Sequence, residues 1–152
     1  MGFRVTEVMS GTHERRDDGA AGPGRFAFRV TWGPDRLLEW ANPTSERFLW
    51  QPLEGEVLAE GLTDGWVPCR GTLSLEYVGR RRIRYEMDFE AAGAVHRFVG
   101  EKVNIRPWNL LVSHTTCTGT ITELAGGRLV SSVVATFRLR DLPRMLLSTR
   151  WA

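Results

Sequence analysis

Two short stretches hold the residues best suited to chemistry. The first is Leu110-Leu-Val-Ser-His114-Thr115-Thr116-Cys117-Thr118-Gly119-Thr120-Ile121-Thr122. Alternate side chains of an extended strand share a face. His114, Thr116, Thr118, Thr120 and Thr122 therefore line one side, and Thr115, Cys117, Gly119 and Ile121 the other. Neither side is a clean apolar core. With His114 and Thr116 turned into a cavity, an imidazole and a hydroxyl would orient a mostly apolar ligand. The competing reading, a solvent-facing threonine ladder, is the commoner use of such a strand.

The second stretch is Gly100-Glu101-Lys102, which contains the only lysine of the chain; every other cationic side chain is arginine. In a strand Glu101 and Lys102 point to opposite faces, so one of the two charges is expected to face inward. Were it Lys102, beside Phe98 and Asn104, the ammonium would need a partner. Without one, desolvation would strip its proton and equip it as a base or nucleophile. A solvated lysine, or an ion pair with Glu86 or Asp88, is the more ordinary outcome.

The remaining chemistry is sparse. No glycine-rich phosphate loop, GxSxG elbow, HExxH or paired-carboxylate signature occurs, and no cysteine–histidine cluster has metal spacing. Neither a cofactor nor a metal is expected. Cys69 and Cys117 read as small buried hydrophobes in a reducing, cytoplasmic compartment, with their pairing left open. His13 borders a polar loop and is expected to be exposed; His96 opens a strand. The net charge is +2, too small for a nucleic-acid partner. Alternation also divides the run Arg80-Arg81-Arg82-Ile83-Arg84 between two faces.

The elements that must position these residues are strands. In Arg82-Ile83-Arg84-Tyr85-Glu86-Met87-Asp88-Phe89-Glu90, Ile83, Tyr85, Met87 and Phe89 share an apolar face and the charged residues a wet one. Comparable runs at 3–12, 25–32, 53–62, 70–78, 96–105, 110–124 and 129–139 give eight strands in series. Turns are expected at Gly79-Arg80, Ala92-Gly93 and Gly126-Gly127. Residues 34–42 read as a short helix. Residues 141–151 read as a C-terminal helix with Asp141 as its N-cap and Leu142, Met145, Leu146 and Trp151 along one face. Residues 14–24 read as a loop. Most of the six tryptophans fall near strand ends or in connections, as caps of a core or rims of an entrance.

A chain of 152 residues suits one domain, 1–152. The expected fold is all-β, an antiparallel meander closing into a lipocalin-like barrel. Gly11, Gly55, Gly71, Gly100 and Gly119 would supply the bends a closed sheet needs. No apolar run approaches the roughly 20 residues of a membrane span. The N-terminal sequence has no secretory h-region. Its Met-Gly-x-x-x-Thr match to a myristoylation pattern is set aside, because Phe3-Arg4-Val5-Thr6 reads equally well as the start of a strand.

Gly55-Glu-Val57, Gly71-Thr-Leu-Ser-Leu75, Arg82-Ile-Arg-Tyr85-Glu-Met-Asp-Phe89, Gly100-Glu-Lys102-Val and His114-Thr115-Thr116 together carry a resemblance. In order and spacing, residues 48–147 are similar to a bacterial accessory domain. That domain occurs beside GMC-type, cholesterol-oxidase-like oxidoreductases and lipase-like α/β-hydrolases. The resemblance implies an association with sterol or lipid metabolism, without the flavin chemistry, since no GxGxxG site is present. Where the relatives carry an acidic residue before Thr-Thr, this chain has His114, and no catalytic role transfers to it.

The functional expectation is non-catalytic binding of a small hydrophobic, lipid- or sterol-like molecule. Tyr85, Met87 and Phe89 would form the apolar wall, and Lys102, His114 and Thr116 the polar groups. The alternatives are a cofactor-free isomerase or hydrolase with His114 as acid or base, and an interaction module for an oxidoreductase or hydrolase partner.

Overall fold

A computed structural model describes residues 1–16, 22–77, 79–103 and 115–152. Eight long strands form the wall: β1 (Phe3–Arg15), β2 (Pro23–Trp32), β3 (Trp50–Ala59), β4 (Val67–Glu76), β5 (Arg82–Ala91), β6 (Ala94–Lys102), β7 (Thr116–Glu123) and β8 (Arg128–Thr136). Helix α1 (Leu37–Trp40) follows β2. A 3-10 turn at Leu139–Asp141, helix α2 (Leu142–Leu147) and the two-residue strand β9 (Arg150–Trp151) end the described chain. Neighbours in sequence are neighbours in the wall, all antiparallel, and β1 pairs with both β2 and β8. The sheet is therefore a closed barrel, as the meander predicted. Among the described residues no helix is long and apolar enough to cross a membrane.

Closure has a measurable stagger. Starting at Val5 and passing through Trp32, Leu53, Gly71, Met87, Phe98, Ile121 and Ser131, the register returns to β1 at Arg15, ten residues along. An eight-stranded barrel with such a stagger tilts its strands by roughly 35–45° and has an interior only wide enough for its own side chains or one small ligand.

Alternation fixes which residues face that interior. Ile83, Tyr85, Met87, Phe89 and Ala91 of β5 are buried, and Arg82, Arg84, Glu86 and Asp88 take the outer face. Outside, Arg97 holds Asp88 in a two-pronged hydrogen bond while Arg82 and Arg84 pair with Glu101. The β5–β6 hairpin closes through Ala92 and Gly93 with positive φ at both, the two-residue turn whose twist matches antiparallel strands.

Rings from opposite walls fill the middle of the lumen. β6 lies four strands from β2 in either direction, yet the Phe98 ring lies 5.1 Å from Phe26 and 5.9 Å from Phe28, and Phe28 lies 5.5 Å from Tyr85. All four are buried. A ligand threaded along the full axis would have to displace this aromatic layer.

Three sequence expectations change at strand and helix ends. β1 runs to Arg15 and β2 begins at Pro23, so the connection is shorter than the expected loop. His13, expected to be exposed, continues the inward register of Val5, Glu7 and Met9 and is buried. Its Nε2 lies 2.8 Å from the Glu60 carbonyl and its Nδ1 2.6 Å from Ser131 Oγ. In a neutral ring Nε2–H donates to the carbonyl and Nδ1 accepts from the hydroxyl. At the other end, Asp141 has helical dihedrals and makes no side-chain cap, and α2 does not bury the face expected of it. Met145 alone among its apolar side chains packs against the core, while Leu142 and Leu146 are exposed.

Candidate functional site

Among the described residues the interior holds one ion pair. Glu7 stands at an inward position of β1 between Val5 and Met9, and Lys102 is the last residue of β6, in the inward register of Phe98 and Gly100. β1 and β6 are three strands apart by the shorter way round, so the two long side chains meet across the lumen. Lys102 Nζ donates to Glu7 Oε1 at 2.7 Å, and both side chains are only 5% exposed. The other carboxylate oxygen, Oε2, accepts from the Tyr85 hydroxyl at 2.8 Å and from Trp32 Nε1 at 3.3 Å. The ammonium also lies 5.3 Å from the centre of the Tyr85 ring, a cation–π contact. Four strands thus contribute one residue each, and both carboxylate oxygens are satisfied.

Opposing effects set the protonation of this cluster. Burial pushes the Glu7 carboxyl up, but the Lys102 charge and the hydrogen bonds from Lys102, Tyr85 and Trp32 outweigh it and hold the group below its ordinary value. Glu7 is therefore a carboxylate. Burial first, and then the Glu7 charge, drive the Tyr85 phenol well above its ordinary value, so it remains a donor. Burial likewise lifts the nearby Cys117 thiol to about 12, with Glu7 adding to the rise and Lys102 opposing it. Cys69 and Cys117 are both free and buried.

An ammonium has three donors. Among the described residues Lys102 spends one of them, on Glu7, and offers a second face to the Tyr85 ring. Lys102 is the last residue of β6, with Ile83 opposite it in register and the half-buried Leu75 opposite Ile83 on the next strand. Such a group, charged and largely dry in an apolar setting, can hold the polar atom of a small molecule.

The residues singled out in the sequence are scattered by the fold. Tyr85 and Lys102 come together. Met87 is one inward position further along β5, opposite Phe98. Phe89 pairs with His96, and its register position is six residues from that of Lys102, about 20 Å at strand rise. Phe89 instead stacks on His96 at 5.8 Å near the opposite end. Thr116 alternates with the buried Cys117 and faces outward with Thr118 and Thr120, so the threonine ladder lies on the outer wall. His114 falls outside the described residues. The ion-pair partner of Lys102 is neither Glu86 nor Asp88, both of which face outward, but Glu7.

Glu7 and Trp32 were missing from the sequence reading. The signal for Glu7 was a lone carboxylate in the apolar register of Val5 and Met9. It could be matched to Lys102 only by asking which inward charge of opposite sign stood elsewhere. A broad groove of about 1230 Å³ on the outer wall, lined among others by Arg29, Glu56, Arg70 and Asp88, carries charges of both signs and is open to solvent. It has none of the dryness of the lumen. Compared with known proteins, the chain matches no protein-family model, no curated protein and no solved structure.

Proposed function

We propose that this barrel binds a small, mainly apolar molecule bearing one anionic or hydrogen-bond-accepting group. The acceptor would take the spare donors of Lys102, and the apolar body would lie at that end of the lumen. The observation that carries the reading is the Glu7–Lys102 pair itself, buried in an interior that is otherwise dominated by apolar side chains. A buried ion pair is a poor stabiliser, since hydrophobic replacements of similar volume often do as well or better. Its presence is better accounted for by recognition. The aromatic layer of Phe26, Phe28 and Phe98 limits the ligand to a compact molecule, or to one inserted by a single end. The resemblance to an accessory domain of sterol- and lipid-handling enzymes supports a lipid- or sterol-like class. Apolar burial, at about 25 cal/mol per Å², would drive the association.

Trp32 donates to Glu7 and is a built-in reporter. Titration with medium-chain fatty acids and sterols should give a saturable change in tryptophan fluorescence, and Glu7→Gln/Lys102→Met should abolish it while remaining folded. No saturable response across the panel would refute the proposal, as would an unchanged response in the double variant. A cofactor-free isomerase is the second reading, favoured by a carboxylate 2.8 Å from a phenol hydroxyl. That reading alone requires deuterium from heavy water to appear in the recovered ligand.

A further inference from the structure

We infer that the C-terminal segment 138–151 is a docking surface for an anionic phospholipid bilayer, an interaction separate from ligand binding in the lumen. Arg138, Arg140, Arg144 and Arg150 are all exposed along this segment, against a single acidic residue, Asp141. None of the four arginines is ion-paired among the described residues, whereas Arg29, Arg82, Arg84 and Arg97 on the barrel wall all are. Beside these charges the segment turns apolar side chains to solvent: Leu147 is 86% exposed, Trp151 72% and Leu146 60%.

The segment is held in place while its apolar side faces out. Met145 packs on the core, Ser148 Oγ accepts from the Thr6 amide at 3.0 Å, and β9 pairs with Phe3 and Arg4. Ser148 meets β1 at Thr6, between the β9 pairing and the β8 pairing that begins at Ser10, and Thr6 is the neighbour of Glu7. The exposed leucines and tryptophan are therefore presented on a fixed support near the Glu7–Lys102 end.

Charge decides between occupants. Guanidinium groups pair with phosphate oxygens in two-pronged geometry. Exposed leucines beside them can enter the acyl boundary, and a tryptophan ring suits the headgroup level. Basic side chains at a surface are drawn to anionic leaflets. All of these features lie within fourteen consecutive positions, and an acidic bilayer satisfies them together.

Co-sedimentation with phosphatidylcholine vesicles and with equimolar phosphatidylcholine–phosphatidylglycerol vesicles tests this. Binding should be confined largely to the anionic vesicles and accompanied by a blue shift of tryptophan emission that Trp151→Phe removes. Arg140→Glu/Arg144→Glu should weaken it about tenfold or more. Leu146→Ser/Leu147→Ser should weaken it while leaving fluorescence titrations of the lumen unchanged. All these positions are exposed, so the variants should keep the wild-type circular dichroism. Equal partition to both vesicle types, no sedimentation with either, or wild-type binding by the charge-reversed variant would overturn the inference. Capture of a protein partner by a chain that ignores both vesicle types would do the same.

Discussion

Glu7 keeps its charge only because three donors converge on it, so removing one partner should cost far more than removing the pair. In Lys102→Met a carboxylate remains buried against Tyr85 and Trp32, and about 3–5 kcal/mol of stability should be lost. Glu7→Gln/Lys102→Met removes both charges, yet the introduced amide keeps an oxygen for the phenol and the indole. Most of the loss should be recovered, read as a shift of the urea midpoint at constant m-value. A single variant no worse than the double would show that the pair is not dry. The sign of the pH effect follows from the depressed Glu7 carboxyl. Its stabilisation is complete above the ordinary carboxyl value of 4.5 and is lost as pH falls through the lower folded-state value. Melting temperature should therefore drop on acidification below about pH 4.5 more steeply in the wild type than in the double variant.

Single strands account for most of what could be read locally. The apolar alternation of β5 was fully legible, because period two is a property of neighbouring residues and needs no knowledge of the rest of the chain. The strand glycines were expected as bends, and the structure shows why two of them are bare. A Cβ on Gly71 would lie 1.8 Å from the Glu86 carbonyl oxygen of the next strand, and on Gly55 2.0 Å from that of Arg29. Gly71→Ala should thus force adjacent strands apart and cost at least about 1–3 kcal/mol in urea denaturation, as overpacking does. An alanine there that leaves the midpoint unchanged would contradict the close approach. Helix α2 was legible as a helix but neither in its extent, since it stops at Leu147 and Trp151 lies in β9, nor in its orientation. Its leucine spacing predicts a buried face, yet only Met145 reaches the core. Nothing within the helix tells whether an apolar stripe meets the barrel or the solvent.

At the scale of the molecule, the sequence by itself determined that the chain is an antiparallel β meander with a short helix early in the chain and another at its C-terminal end, and that Tyr85, Met87 and Phe89 share a buried face. It also narrowed the inward charge of Glu101-Lys102 to one of two residues. Tertiary structure decided the rest. Glu7 and Lys102 are separated by 95 positions, and only closure of eight staggered strands brings β1 and β6 face to face. The same closure carries Phe26 and Phe28 against Phe98 and fills the middle of the lumen, whereas the two-residue turn of the β5–β6 hairpin is what sets Phe89 at the end away from Lys102. Side-chain alternation is set by the geometry of each strand, so the sequence reports it directly. Which inward residues touch depends on the tilt and stagger of the whole wall, and these exist only once the last strand has paired with the first.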